Sequence, residues 1–323
     1  MRKRAYRATI LAHIALVLSS IASADWVWTP QTGRLVNLKR LPKETPELQV
    51  EYARSLMIAG NYKEALRETN KFGDFFDGTD FDDDNQFVRG EIRMAQGKYP
   101  EAAKDFQQVI ANYPDTDLYD QVIAKQYEIG DAMYEKGLAK LEKRWRLFRK
   151  KPLKSAIEVY SMVIDNQPFT DAAAQGQYKV GLCHFTLDEY TAAAYEYRRV
   201  IEDYMQSEWV DEASHGLAMC YYEASLPPEY DQGVSKLGVG AIDSFKARYP
   251  ADERVADLDA MRVQMRERIA TQRLQTAEFY ERRRLFDAAR IYYNVVVEQF
   301  PETAVAQTAR DWLAKNPAPV KQT

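Results

Sequence analysis

The feature that most constrains the fold is an apolar rhythm that occurs six times along the chain. Between Gly97 and Pro114, apolar or small side chains follow one another in steps of 3, 4, 3 and 4 residues before a closing proline. Such steps place side chains on one face of an α-helix. The proline ends the helix, because it excludes the preceding residue from helical space. The positions that define the rhythm are Tyr99, Ala102, Phe106, Val109, Tyr113 and Pro114.

Five further copies of this rhythm begin at Tyr62, Leu153, Tyr190, Ser235 and Phe286, and the copy at Tyr62 is degraded. The intervals between successive copies are 37, 54, 37, 45 and 51 residues, so the basic unit is 37 residues and three intervals contain 17, 8 and 14 more. A second predicted helix precedes each copy. We call it helix A and the copy itself helix B. The small residues of the last five A helices are Gly90, Gly130, Gly181, Ala218 and Ala277.

This pattern resembles the tetratricopeptide repeat, which has a small residue on helix A, an aromatic residue at the turn, an alanine on helix B and a closing proline. The nearest textual match is the last copy, AEFYERRRLFDAARIYYNVVVEQFP. One helix pair cannot bury its own apolar face, whereas stacked pairs can. We therefore predict an all-α fold, an α-α superhelix or tetratricopeptide-repeat solenoid of about six helix pairs.

The first 24 residues have the composition of a secretory signal. Four basic residues precede an apolar run from Ile10 to Val17, which is followed by the small residues Ala22, Ser23 and Ala24. This order predicts a signal peptide at 1–24 and a mature protein that begins at Asp25. An uncleaved membrane anchor is the alternative. The run is too short to favour a lasting membrane span.

The rest of the chain is divided by composition. Residues 25–46 form an N-terminal segment and linker, in which the alternation of Trp26 and Trp28 predicts a hairpin or a docked strand. We expect both tryptophans to pack on the first repeat, a partner being the alternative. Residues 47–313 form the repeat solenoid, and the polar, proline-rich residues 314–323 form a disordered tail.

Charge and cysteine content exclude several functions. The net charge is −4, and −8 without the signal, so we predict no nucleic-acid partner. Cys183 and Cys220 are 37 residues apart, at equivalent positions of adjacent repeats, and we expect two buried apolar side chains, with a disulfide left open. With His184 and His215 they lack the spacing of a zinc site, so no metal is predicted.

Motifs for catalysis are absent from the sequence. We find no nucleophile elbow, phosphate-binding loop or metalloprotease motif, and the glycine-rich stretch from Gly233 to Gly240 lacks the Gly-Lys-Ser/Thr ending. Nothing assembles a nucleophile, a base and an oxyanion site. We therefore predict a protein that is not an enzyme and uses no cofactor.

A basic stretch from Lys136 to Lys154 lies before the third copy and contains a helical stripe of Leu138, Leu141, Trp145 and Phe148. A basic amphipathic helix can lie on an anionic membrane or bind an acidic partner. An extended helix A with a solvated back is the alternative. The residues assigned to this basic helix are Lys143, Arg144, Arg146, Arg149, Lys150 and Lys151.

An exported chain of helix pairs with the endings NYP at 112–114 and RYP at 248–250 resembles the BamD-type outer-membrane-protein assembly factors over residues 47–313. The resemblance implies a periplasmic, outer-membrane-associated scaffold whose partners are the outer-membrane assembly machinery or other envelope proteins. It also implies substrate recognition by the N-terminal repeats and contacts with the complex by the C-terminal ones. One departure is clear. That family is acylated on a cysteine after the signal, whereas Asp25 occupies this place, so attachment would come from protein partners, the basic helix or an uncleaved signal.

The repeat pattern also indicates which side chains would line a protein-binding groove on helix A, and we expect about half of them to be exposed. An adaptor in cell-division or cell-wall complexes and a peripheral membrane-surface binder are the alternative functions. The predicted groove residues are Arg54, Phe87, Glu91, Tyr178, Phe185, His215 and Tyr222.

Overall fold

The computed structural model describes residues 26–29, 34–37, 41–142 and 146–317, with the side chains of 41–140 and 150–317. The described residues form thirteen helices and one two-stranded sheet. The helices are α1 (Pro46–Ile58), α2 (Tyr62–Phe75), α3 (Asp82–Ala95), α4 (Tyr99–Asn112), α5 (Tyr119–Glu142), α6 (Arg146–Asn166), α7 (Asp171–Thr186), α8 (Tyr190–Asp203), α9 (Val210–Ala224), α10 (Gly233–Arg248), α11 (Val255–Arg282), α12 (Phe286–Gln299) and α13 (Ala304–Lys315).

The N-terminal segment forms a hairpin. Strands β1 (Trp26–Thr29) and β2 (Arg34–Asn37) pair antiparallel, with Trp28 opposite Leu35. Of the two alternatives that the sequence left open here, a hairpin and a docked strand, the structure has the hairpin. Packing of its tryptophans concerns side chains outside the described ones and stays a prediction.

The predicted repeats correspond to helix pairs. Helices α2, α4, α8 and α12 begin at the residues where the rhythm places them, Tyr62, Tyr99, Tyr190 and Phe286. Helix α10 begins two residues before Ser235, and α6 begins seven residues before Leu153. Helix α13 follows the sixth pair, where Trp312 stacks on Tyr293 at a ring-centroid distance of 4.2 Å. The all-α fold of the tetratricopeptide-repeat superhelix class is confirmed.

Most pairs share one turn geometry. Three residues join α1 to α2, α3 to α4, α7 to α8 and α11 to α12. The middle residue of each turn has a left-handed backbone, which ends one helix and lets the chain reverse within the three residues. These residues are Gly60, Gly97, Asp188 and Arg284, with φ of 78°, 72°, 63° and 59°.

Close contact between the two helices of a pair depends on the small residues of helix A. Each predicted glycine faces an aromatic ring of helix B that is fully buried. A Cβ added at these glycines would overlap the ring, so no larger residue fits without a shift. Added at Gly90, Gly130 and Gly181, it would lie 2.8, 2.5 and 2.7 Å from ring atoms of Phe106, Tyr160 and Tyr197.

Two compact units divide the chain, residues 1–125 (unit 1) and 126–323 (unit 2). In unit 1, Phe72 and Ile92 belong to one core cluster that joins α1, α2 and α3. In unit 2, a cluster around Tyr197 joins α8 and α9, and another around Phe245 joins α9, α10 and α11. Each unit therefore buries its apolar faces by stacking successive pairs.

Candidate protein-binding surface

Two predicted groove residues of unit 1 come together on its A helices. The exposed Arg54 of α1 places its Nε 3.7 Å from Oε2 of Glu91 on α3. Phe87, one turn before Glu91, is buried and packs edge-on against Phe106 at 5.1 Å. Phe87 therefore belongs to the core beneath the surface, while Arg54 and Glu91 form part of the surface itself.

A depression of about 450 Å³ lies beside this ion pair. Its apolar wall includes Ile58, which is 78% exposed, and two methionines, whose flexible side chains adapt to irregular partners. Glu91 and Lys125 supply charge at its wall. The sequence analysis missed this pocket, although apolar residues outside the core rhythm were a signal for it. The lining residues are Met57, Ile58, Glu91, Met94, Ala95, Tyr99 and Lys125.

A buried carboxylate fixes the helix beneath this surface. Asp105 of α4 lies 2.7 Å from Arg93 Nη1 and 3.8 Å from Arg89 Nε, both on α3. Gln86 Nε2 donates to its Oδ1 at 3.1 Å. Burial raises the pKa of Asp105 above its ordinary value, although Arg93 and Arg89 oppose the shift. Breaking such a buried pair is costly, so it holds α3 in one orientation.

In unit 2, two predicted groove residues lie on α7 and are half-buried. The Tyr178 ring contacts Tyr197 and Trp209 at centroid distances of 5.6 and 5.2 Å. Burial raises the pKa of Tyr178 to about 12. Phe185 packs edge-on against Tyr190 at 5.4 Å. Each ring has one side on the core and part of its area open to solvent.

The other two predicted groove residues of unit 2, His215 and Tyr222, lie on α9 and are also half-buried. The His215 ring lies 6.2 Å from that of Phe245, and burial, followed by the charge of Arg254, lowers the pKa of His215. The Tyr222 hydroxyl donates to Gln264 Oε1 at 2.7 Å. The part-exposed side chains of α7 and α9 are thus mainly aromatic and carry hydroxyl and imidazole groups. Side chains of this kind suit contact with another protein.

An arginine cluster that the sequence analysis missed fixes α11 against α9. The Arg254 guanidinium contacts Asp211, Glu212 and Asp252 at 3.3, 3.0 and 2.7 Å. Hydrogen bonds from Arg254 lower the pKa of Asp252 to about 2. Two of the three partners precede Arg254 by more than 40 residues, and no local pattern indicates such a contact.

Cys183 and Cys220 are both free and fully buried, and burial raises the pKa of each thiol to about 12. These cysteines are therefore the small apolar side chains that the sequence predicted. Within the described ranges, no three His, Cys, Asp or Glu side chains are placed to hold a metal ion.

The residues assigned to the basic helix are described only in part. Lys150 and Lys151 lie on α6 and are exposed. Of Arg146 and Arg149 the structure describes the backbone alone, and Lys143 and Arg144 lie outside the described residues. In the part of the chain that the structure covers, no helix combines the length and the apolar character needed to cross a bilayer.

Two protein families match parts of the chain. The family described as YfiO, outer membrane lipoprotein, matches residues 130–316, which is more than half of the 323 residues. A tetratricopeptide-repeat family matches residues 84–116. No curated protein matches. The YfiO match includes every predicted groove residue of unit 2.

Solved structures with similarity include three repeat proteins. The C-terminal part of a repeat-containing protein from Cytophaga hutchinsonii is 15% identical, over 83% of this chain and 88% of that one, with a TM-score of 0.38. A repeat protein from Parabacteroides merdae is 14% identical, over 83% of this chain and 97% of that one, with a TM-score of 0.35. A thermophilic repeat protein from Thermus thermophilus is 14% identical, over 68% of this chain and 98% of that one, with a TM-score of 0.33. The fold class follows from the repeat contacts and the family matches.

Proposed function

The chain belongs to the YfiO family of BamD-like outer membrane lipoproteins, and from this premise we propose its function. We propose that it is a periplasmic scaffold for outer-membrane β-barrel assembly. The families that it matches are scaffolds rather than catalysts, and tetratricopeptide repeats bind protein partners. In this proposal the chain holds proteins of the assembly machinery together and performs no chemistry itself.

One observation carries the proposal. The residues that match the family include four part-exposed side chains on α7 and α9, Tyr178, Phe185, His215 and Tyr222, which we propose form one aromatic surface. Aromatic side chains of this kind dominate the energy of protein interfaces, because they bury much area while a polar group fixes their orientation. We propose that this surface binds a protein of the assembly complex.

The pocket of unit 1 has a different role in this proposal. Its apolar wall of Met57, Ile58 and Met94 suits an apolar side chain of an extended client segment. Glu91 and Lys125 would then orient the polar groups of that segment. Ile58→Glu places a charge in the pocket and should abolish client binding. Leu48→Glu, at an exposed position of the same helix, is the matched control and should bind as the wild type does.

The test is affinity capture of the full chain from detergent-solubilised envelope, with identification of the bound proteins by mass spectrometry. The proposal predicts recovery of outer-membrane β-barrel assembly proteins. Tyr222→Ala should reduce this recovery, whereas Tyr195→Ala, at a 59% exposed tyrosine on helix α8, should not. Recovery of cell-division or cell-wall proteins without any assembly component would contradict the proposal and favour another envelope adaptor role.

A further inference from the structure

One connection of unit 2 is longer than the three-residue turn of most pairs. Eight residues, 225–232, join α9 to α10, whereas three residues join the helices of four other pairs. We call residues 225–232 the α9–α10 loop. Its sequence, SLPPEYDQ, contains two consecutive prolines, whose fixed φ angles leave the unfolded loop with less entropy to lose. The loop is therefore suited to hold one conformation although it lies outside the helices.

A buried glutamine fixes the loop from the α10 side. The Gln232 side chain belongs to a residue that is only 1% exposed. Its Nε2 donates to the carbonyls of Leu226, Pro227 and Tyr230 at 3.2, 2.8 and 3.1 Å. Its Oε1 accepts a hydrogen bond from the buried Ser235 hydroxyl at 2.7 Å. Because a buried amide without partners would be costly, these bonds hold the loop carbonyls in place.

Helix α11 fixes the loop from a second direction. Arg268 Nη1 donates to the Ser225 carbonyl at 3.2 Å and also contacts the Ser225 hydroxyl. Gln272 Nε2 donates to the Tyr230 carbonyl at 2.8 Å. The loop is thus bonded to helices on two sides. A partner that binds it would need to order little of its backbone, which lowers the cost of association.

The side chains that this rigid loop presents to solvent are apolar and anionic. Leu226 is 49% exposed and Tyr230 is 59% exposed. Residues 223–231 contain three carboxylates and no Lys or Arg, a net charge of −3. All three carboxylate residues are exposed, and they are Glu223, Glu229 and Asp231. The loop therefore combines a rigid aromatic ring with a surrounding negative charge.

We propose that the α9–α10 loop binds a basic segment of a partner protein, in which Lys or Arg side chains lie beside an apolar one. A rigidly held tyrosine is the residue type that contributes most to protein interfaces, and carboxylates around it attract a cationic partner. The same carboxylates repel an anionic membrane, which favours a protein as the ligand.

The position of the loop also connects it with the surface proposed above. The Arg268 guanidinium, which bonds to Ser225, lies 5.6 Å from the centre of the Tyr222 ring. The loop therefore adjoins a side chain to which we assign binding of the assembly complex. The inference rests on the proposed scaffold function in that both require a protein partner, and it adds the charge that the partner must carry.

Photo-crosslinking with mapping of the attached segment tests this inference. A photoreactive phenylalanine replaces Tyr230 in the full chain, which is illuminated in detergent-solubilised envelope, and mass spectrometry identifies the crosslinked stretch of the partner. The control replaces Tyr195 on α8, which is also 59% exposed. The charge of the mapped stretch decides the outcome, and the identity of the protein does not.

Two further variants, both with the photoreactive residue at position 230, test the role of charge. The test variant combines Glu223→Gln, Glu229→Gln and Asp231→Asn. The matched control neutralises three exposed glutamates of unit 2 outside the loop, and thermal unfolding verifies that both variants fold. The control residues are Glu202, Glu208 and Glu253.

We expect position 230 to crosslink to a segment with more Lys and Arg than Asp and Glu, and position 195 not to do so. The yield should fall at least about three-fold in the test variant, because each exposed ion pair contributes a factor of about 1.4–5. It should also fall at about 1 M salt, where the screening length is about 3 Å, and stay unchanged in the control variant. No crosslink from position 230, a mapped segment that is neutral or acidic, or equal losses in the two variants would overturn the inference.

Failure of this inference is distinguishable from failure of the proposed scaffold function. A basic segment that belongs to a protein of another envelope complex would support the loop as a binding site and contradict the role in β-barrel assembly. Recovery of assembly proteins by affinity capture, without a crosslink from position 230, would support the scaffold and contradict the loop.

Discussion

Each A helix has a closed face, which packs against a helix B, and an open face, which is partly exposed to solvent. The two faces differ in the size of side chain that each can accept. On the closed face, Gly181 contacts Tyr197, a ring that is 2% exposed and that also contacts Gly216 of the next A helix. On the open face of the same helices, Tyr178 and Tyr222 have one side on the core and part of their area in solvent. The closed face determines the fold, because little else fits there. The open face is less restricted, as the binding role proposed for it requires.

The largest loss of stability should follow removal of a ring from the closed face. Tyr197→Ala leaves a cavity between Gly181 and Gly216, which we expect to lower the free energy of unfolding of unit 2 by about 3–5 kcal/mol. The measurement is the urea dependence of thiol labelling. Cys183 and Cys220 are buried in unit 2, so labelling reports its opening. A loss below about 1 kcal/mol would show that the closed face is not tightly packed.

A smaller loss should follow addition of one methyl group to the same face. Gly181→Ala places a Cβ 2.7 Å from the Tyr197 ring, and such overpacking costs about 1–3 kcal/mol. Gly240→Ala is the matched control, since this helical glycine is exposed and an added Cβ meets nothing within 4 Å. We expect it to stabilise unit 2 by about 0.5–1 kcal/mol in the same assay. Equal effects of the two substitutions would remove the distinction between closed and open positions.

Substitution on the open face should affect stability less than binding. Tyr222→Ala removes the hydrogen bond to Gln264, worth about 0.5–1.5 kcal/mol, and the packing of a half-buried ring on the Phe245 cluster. We therefore expect a smaller shift of the urea midpoint than for the fully buried Tyr197, together with a clear loss of partner capture. A loss of stability as large as that of Tyr197→Ala would place Tyr222 in the core instead.

The smallest effect concerns pH. Burial and Arg254 lower the pKa of His215 below its ordinary value of 6.5, so the unfolded chain binds more protons than the folded one. This contribution to stability is complete above pH 6.5 and is lost as pH falls towards the folded pKa. The other charged groups that act on His215 are Glu212, Asp252 and Asp257. Between about pH 7.5 and 5.5, the wild type should lose more stability than His215→Gln, measured by urea unfolding. Parallel pH profiles of the two proteins would contradict this assignment.

The closed face was predictable from the sequence because its contacts recur. The spacing of small and aromatic residues located four B helices to the residue and identified Gly90, Gly130 and Gly181 before any contact was known. Helix α13 and the Arg254 cluster were not predicted. Each occurs once, and the cluster joins residues far apart in the sequence, so no period indicates either.

The open face was predictable only in part. A position on helix A can be assigned to a face by its period, but its exposure depends on side chains of the following pair. Phe87 fitted the groove pattern and is nevertheless buried against Phe106, whereas Ile58 lay outside the pattern and is 78% exposed. The length of α5 and α6 was visible as a 17-residue excess, but the structure was required to show that fourteen of these residues lengthen the two helices, seven on each.

Site-specific photo-crosslinking tests the central claim, that the open face of the A helices binds partners, most directly. A photoreactive phenylalanine would replace Tyr222 on α9 in one protein and the exposed Tyr195 on α8 in another, both in the full chain within the envelope. The account predicts a discrete crosslink to an outer-membrane assembly protein from position 222 and none from position 195. Crosslinks from position 195 alone, or from neither position, would contradict it.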